Sequence, residues 1–425
     1  VSENDVCRTE LDNGLTVFLK EVHTAPVATC WIWYRVGGRN ETPGLTGISH
    51  WTEHMMFKGT PTFPKGEIMR LVNKNGGVLN GFTSQDYTAY FEILPADRIE
   101  LGLRIEADRM ANSVFDPDEV ASERTVILSE RQGRENSPSF LLYEEVAAAA
   151  FQVHPYGHQV IGWKGDLQRI TRDDLWRHFC THYGPHNANL MLVGDFETPA
   201  MLESVKTHFG PIPSGPAPPP MDVVEPPQRA ERRVTLRQPG TTAYFQTVYH
   251  VPHARHPDFY PLLVLDSILS GAKPMSLSGP SVTNKSARLY RALVETELAT
   301  AVSSSASDNL DPGLFGFFAT IRAGRTLEEV EAAMLAEIRR VIDEPVEEVE
   351  LAKAVKQSQA QFAYANESAS NQAYWLGRME MIESYHLFYT FLNNLAAVTK
   401  EDVQRVAQTY FQPTNRTIGW FVPEE

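Results

Sequence analysis

Cysteine is scarce in this 425-residue chain, and basic residues are outnumbered. Cys7, Cys30 and Cys180 are odd in number and far apart. They suit neither a disulfide framework nor a paired-cysteine metal knuckle, and are expected to be free, buried thiols. Lysine and arginine total 38 against 53 aspartates and glutamates, a formal net charge of −15. That balance argues against nucleic-acid binding and is compatible with cationic partners. No apolar run approaches the roughly 18–20 residues that would span a bilayer, so no transmembrane segment is expected. What remains, 42% hydrophobic and 21% charged, is the composition of an ordinary globular protein.

Proline is concentrated in one place, "GPIPSGPAPPPMDVVEPPQ", residues 210–228. Proline this dense continues neither a helix nor a sheet interior and makes a stiff spacer. It divides the chain into 1–209 and 229–425.

The two halves resemble each other. "ITRDDLWRHFCTHYGPHNANLMLVGDF" from Ile170 aligns with "VTKEDVQRVAQTYFQPTNRTIGWFVPE" from Val398 at an offset of 228. Thr171, Asp174, Thr181, Pro185 and Asn187 fall on Thr399, Asp402, Thr409, Pro413 and Asn415. Nearer the start, Tyr34 pairs with Tyr249 at an offset of 215, so the second copy holds about 13 extra residues. The Gly-, Pro- and Ser-containing "AKPMSLSGPSVTNKSA" is where they are expected. Ordered agreement of several segments indicates an internal repeat.

Each copy has α+β character. "VATCWIWYRVGG" and "YTAYFEIL" are rich in β-branched and aromatic residues, as strands are. "ADRIELGLRIEADRMANS" and "TLEEVEAAMLAEIRRVID" carry apolar residues at helical spacing. Thr171 and Thr399 precede acidic first turns and are expected N-caps. The expected fold is two homologous domains, each a mostly antiparallel sheet with helices packed on it.

The chemistry concentrates in "GISHWTEHMMFKGT", residues 47–60. On a helix from Leu45 to Phe57, His50, Glu53 and His54 share one face. Two imidazoles one turn apart can grip one zinc ion, and Glu53 between them is placed to take a proton from an attacking water. A third ligand is needed. In "DEVASERTVILSERQGREN", Glu123 and Glu130 share a helical face, and Glu130 lies 76 residues after His54. The second copy supplies a control. His50, Glu53 and His54 fall on Leu265, Ile268 and Leu269, and Glu123 and Glu130 on Leu351 and Ser358. The fold itself does not need these polar groups.

H-x-x-E-H with a glutamate at this distance resembles the inverted zincins, the pitrilysin or insulinase-type metallopeptidases. "LDNGLTVFLKE", "NGGVLNGFTSQDYTAYF", "HPYGHQVIG" and "NANLMLVGDF" also sit where that family has similar segments. The length and duplication are similar to the short-chain branch, which includes bacterial zinc proteases and mitochondrial processing peptidase. The resemblance implies one zinc per chain held by His50, His54 and Glu130, Glu53 as general base, and Glu123 as a carboxylate supporting the ligands. It also implies that extended peptide substrates pair with the strand containing Asn80, Gly81 and Phe82. The family commonly has alanine where this chain has Gly81. Active members use an arginine and a tyrosine in the C-terminal repeat to hold substrate, and here Val294 and Thr300 stand in their place. The implied protein is the zinc-bearing endopeptidase subunit of a heterodimer with a related chain, or else a homodimer. A non-catalytic assembly subunit of the same family is the alternative. A soluble protein of a bacterial periplasm or cytoplasm is expected. The chain opens at Val1, so the missing leader decides nothing.

Two weaker signals are histidine clusters. His178 and His182, with Cys180 and His186 nearby, are expected at the surface near a helix end, and His250, His253 and His256 in a solvated loop.

Overall fold

The computed structural model describes residues 5–275 and 284–424. Positions 276–283, within the stretch expected to hold the second copy's extra residues, lie outside the described residues.

The strands form two sheets. The first contains β1 (Val6–Glu10), β2 (Thr16–Glu21), β3 (Val27–Tyr34), β4 (Val78–Thr83), β5 (Thr88–Pro95) and β6 (Ala188–Gly194), in the order β1-β2-β6-β3-β5-β4. The second contains β7 (Arg232–Pro239), β8 (Tyr244–Val251), β9 (Ala299–Ala306), β10 (Gly313–Ile321) and β11 (Arg416–Glu424), in the order β7-β11-β8-β10-β9. Apart from β1, the orders correspond strand for strand. Each sheet has one parallel pair, β2 with β6 and β7 with β11, and is otherwise antiparallel. The chain is thus a duplicated α+β protein.

The duplication extends to side chains. Tyr34 and Tyr183 pack with ring centroids 4.9 Å apart and planes at 46°. Tyr249 and Phe411, their repeat counterparts, pack at 4.9 Å and 43°. Asn187 Nδ2 donates to the carbonyls of His182 (2.8 Å) and Arg35 (3.4 Å). Asn415 Nδ2 donates to those of Tyr410 (2.8 Å) and His250 (2.9 Å). Asn187 ties a helix end to the residue after β3, and Asn415 ties the equivalent helix end to β8. Thr171 and Thr399 cap helices Arg172–His182 and Lys400–Tyr410, each in a reciprocal capping box with Asp174 or Asp402.

The two compact units are not contiguous in sequence. The first runs to Gln132, resumes at His158–Asp222 and takes Asn366–Tyr389. The second takes Gly133–Gly157, Val223–Ala365 and the chain from Thr390 onward. Helix Pro138–Ala150 therefore packs in the second unit, where Leu142, Val146 and Ala150 join Val248 and Phe421 in one apolar cluster. Helix Ala369–Ile382 packs in the first, where Tyr374 lies against Trp31 and Trp33.

The inner face of the first sheet presents Cys30, Ile32, Tyr34 and Tyr90 to the main apolar core. Strand alternation sends Trp31, Trp33, Phe82 and Phe91 to the opposite face, where Trp31 stacks on Phe91 at 4.2 Å. All three thiols are free, but only Cys30 is buried. Cys7 and Cys180 are exposed, which corrects the expectation of burial. Each lies on a peripheral element, β1 or the outer side of helix Arg172–His182. Among the described residues, no helix is long and apolar enough to cross a membrane.

In the second copy, the helix equivalent to the histidine helix is Phe259–Ser270, with Leu265, Ile268 and Leu269 all buried. Its Asp266 accepts hydrogen bonds from Ser304 (2.5 Å) and Ser270 (3.4 Å). Burial pushes this carboxyl up to about 6, against the pull of Lys273 and the two serines. The folded chain then keeps a proton that the unfolded chain loses, so stability falls as the pH rises from 3.8 to about 6. Asp266→Asn removes that penalty. Its urea midpoint is expected to gain on the wild type across this interval and to hold the gain above it; a pH-independent difference would contradict the assignment.

Candidate metal centre

The histidine helix spans Ile48–Met55, shorter than the expected Leu45–Phe57. Gly47 sets its start, with φ +87°, a conformation that favours glycine. A Cβ there would also lie 2.5 Å from the Ile161 carbonyl oxygen. The Glu41 carboxylate accepts from the backbone N–H groups of Gly47 (2.8 Å) and Ser49 (2.9 Å), satisfying donors that a helix start leaves open. Ile48, Trp51 and Met55 are buried in the core. That anchors one face of the helix and turns His50, Glu53 and His54 to the other.

Helix Pro117–Glu135 supplies the opposing carboxylates. Asp116 Oδ1 accepts from the N–H groups of Asp118 (2.8 Å) and Glu119 (3.3 Å) at its start. Val120 and Ile127 are buried. Arg124 donates to the carbonyls of Leu167 (2.8 Å) and Ile170 (2.7 Å) and lies 4.9 Å from the Trp51 ring. This arginine fixes the carboxylate helix against the histidine helix.

His50, His54 and Glu130 are brought together. Their ligand atoms lie within 4.8 Å of one another, and among the described residues they form the only such group able to hold a metal ion. Glu130 Oε2 is 3.6 Å from His50 Nε2 and 3.8 Å from His54 Nε2. Donors about 2.0–2.2 Å from a tetrahedral zinc are separated by roughly 3.3–3.5 Å. The two separations from Glu130 exceed that by only a few tenths of an ångström, so this donor set suits one zinc ion. Glu130 remains partly exposed, so the site has an open side.

Glu123 stands behind His54. Its Oε1 is 2.8 Å from His54 Nδ1, which leaves Nε2 to face Glu130. Its other oxygen pairs with Lys58. Burial pulls the His54 imidazolium down, but its hydrogen bond to Glu123 and the charges of Glu53, Glu123 and Glu130 outweigh it and hold the group above its usual range. Burial pushes Glu123 up, and His54 and Lys58 more than reverse that, keeping it ionised.

Glu53 is almost enclosed. Burial raises its carboxyl above the usual range, opposed by a 2.7 Å hydrogen bond from Thr83 and the nearby His54 charge. Thr83 and Lys58 were missed in sequence. Lys58 one turn beyond His54 was a usable signal, whereas contact with Thr83 depends on sheet packing.

The expected substrate strand is β4, at one edge of the sheet. An edge strand keeps a row of backbone groups open to another chain. The side chains divide by the strand's period of two. Gly81 and Thr83 share the face toward Glu53. Phe82 projects the other way, against Trp31, Trp33 and Tyr374. Asn80 alternates with Gly81, and its Oδ1 accepts from the Gly81 N–H at 2.9 Å. Asn80 and Phe82 therefore bring only backbone groups to any strand pairing. At Gly81, a Cβ would meet Tyr90 Cδ1 at 2.7 Å and Phe57 Cζ at 3.1 Å. Aromatic packing beneath the strand explains glycine where the related pattern has alanine.

The other histidine clusters form no metal group among the described residues. His178 is half-buried, with Nε2 3.1 Å from Ser49 Oγ, and His182 is buried. Burial holds His178 well below its usual range and His182 at about 4. They pack behind the histidine helix, which corrects the expected surface placement. His250 Nε2 bonds the Ala150 carbonyl at 3.0 Å.

A duplicated α+β chain with an H-x-x-E-H helix facing a distant glutamate defines the inverted-zincin class. Residues 16–163 match the insulinase family, peptidase family M16, and residues 169–358 match the peptidase M16 inactive domain. The chain belongs to this pitrilysin-type family. It is 28% identical over 418 residues to the zinc protease PqqE of Helicobacter pylori, covering 97% of this chain and 92% of that protein. It is 28% identical over 412 residues to the mitochondrial-processing peptidase subunit beta of Lentinula edodes, covering 94% and 86%. The crystal structure of a protease from Helicobacter pylori superposes with a TM-score of 0.93 at 28% identity, over 98% of this chain and 99% of that one. These relatives place the chain in a zinc peptidase family.

Glu123→Ala is expected to weaken zinc binding by about 10- to 100-fold, because His54 loses the partner that orients it. Competition titration against a zinc chelator measures this. Unchanged affinity would show that Glu123 does not support the site.

Proposed function

We propose that this chain is a zinc-dependent endopeptidase acting on extended peptides. The convergence of His50, His54 and Glu130 beside the enclosed Glu53 carries the reading. When bound, zinc supplies polarisation of the scissile carbonyl and makes water easier to deprotonate. The chain's own groups do the rest. His50, His54 and Glu130 hold the ion. The edge of β4 aligns a peptide backbone by strand pairing. Glu53 accepts a proton from the attacking water and returns it to the leaving amine nitrogen.

The relatives support this reading by their names, and one is a peptidase subunit. The second repeat supports a division of labour. Val294 ends the helical turn Tyr290–Val294, and Thr300 lies near the start of β9. Neither side chain can grip a peptide as an arginine and a tyrosine do. Arg288 is held by Glu350 at 3.0 and 2.6 Å. We assign the chain as the zinc-bearing subunit, with a related partner supplying the grip.

Two measurements test the proposal. The purified chain should hold about one zinc, and Glu53→Gln should keep the metal and lose hydrolysis; retained hydrolysis would remove Glu53 as the base. Separately, peptide cleavage should be weak with the chain alone and rise when the related subunit is added. Full activity as a monomer or homodimer would sink the division of labour. Zinc binding without cleavage in any combination would make the chain an assembly subunit.

A further inference from the structure

The strand expected to align substrate also touches the expected base. Thr83 is the last residue of β4, and its Oγ1 donates to Glu53 Oε2 over 2.7 Å. A threonine hydroxyl has one proton to give. Thr88 lies 3.5 Å away across the hairpin, but its hydroxyl serves the Val36 carbonyl at 2.9 Å. The short contact is thus the one between Thr83 and Glu53.

Thr83 is itself fixed. In the turn that follows, Ser84 N–H donates to the Tyr87 carbonyl at 2.8 Å, and the Ser84 hydroxyl donates to the same oxygen at 3.0 Å. The loop after β3 braces this turn, with Gly38 N–H on the Ser84 carbonyl (3.1 Å) and Arg39 N–H on that of Gln85 (2.7 Å). Gln85 Nε2 in turn donates to the His158 carbonyl at 2.8 Å. A braced hydroxyl gives the carboxyl a fixed point that the mobile side chain of a glutamate otherwise lacks.

We propose that Thr83 is a positioning residue for the general base: its hydroxyl pins Oε2 of Glu53 and directs Oε1 to the proton being moved. The proposal rests on the reading of Glu53 as the base. Thr83 transfers no proton itself. Because β4 also offers its edge to the peptide, base and substrate are registered against one strand. The simpler role, satisfying a buried carboxylate, predicts a loss of stability without a specific loss of turnover.

Thr83→Val removes the hydroxyl at nearly constant volume, and Thr83→Ser restores it. With zinc-loaded full chain, in the assembly that cleaves peptide, Thr83→Val should lower kcat by about 10- to 100-fold. KM should stay within about twofold, zinc content should not change, and Thr83→Ser should recover most of the rate. Crystal structures give a readout independent of activity: Glu53 should adopt one rotamer in wild type and Thr83→Ser, and several in Thr83→Val. Unchanged kcat, a loss that serine does not restore, a loss that follows melting temperature, or an undisturbed Glu53 rotamer would overturn the proposal. Glu53→Gln assayed in parallel separates the two claims. If it still cleaves peptide, the base assignment fails, and the crystal structures alone decide whether Thr83 holds the carboxyl.

Discussion

Two histidines one helical turn apart can hold an ion only if a third donor is kept opposite them, and much of the first repeat maintains that separation. Glu41 and Gly47 set where the histidine helix begins. Trp51 and Met55 set its rotation by burial, and Arg124 fixes the carboxylate helix against Trp51. Lys58 and Glu123 then set the orientation of one imidazole. A helix rotated by one residue moves its side chains by about 100° and disperses the donors. Packing of the apolar face is therefore a condition of the chemistry.

The second repeat shows the same framework without that demand. In its equivalent helices Leu265, Ile268 and Leu269 are buried, and Ser267 and Ser358 share a 3.0 Å hydrogen bond. The asparagine bridges and aromatic pairs survive in both copies. The two copies share what holds helix to strand and differ at the candidate donor positions. The match of residues 169–358 to an inactive domain agrees with that division.

Much of the architecture was legible in the chain. The threonine caps, the aromatic strands and the repeat offsets each reflect local physics, capping or period, which one sequence carries. Helical spacing made the pairing of His50 with His54 legible and put Glu123 and Glu130 on one face, whereas the choice of Glu130 as the third donor came from the family resemblance. The exchange of helices Pro138–Ala150 and Ala369–Ile382 between the compact units was not, since nothing local tells an amphipathic helix which sheet it will cover. The contact from Thr83 to Glu53 was hidden for the same reason: it joins an edge strand to a helix. The outward turn of Phe82 followed from strand alternation once Gly81 and Thr83 were placed. The half-burial of His178 depends on the neighbouring helix that carries Ser49.

The central claim is that one ion sits among His50, His54 and Glu130, and anomalous diffraction at the zinc edge from crystals of the purified protein tests it most directly. One peak is expected about 2.0–2.2 Å from His50 Nε2, His54 Nε2 and a Glu130 carboxylate oxygen. A zinc peak elsewhere, or none in protein saturated with zinc, would contradict the account.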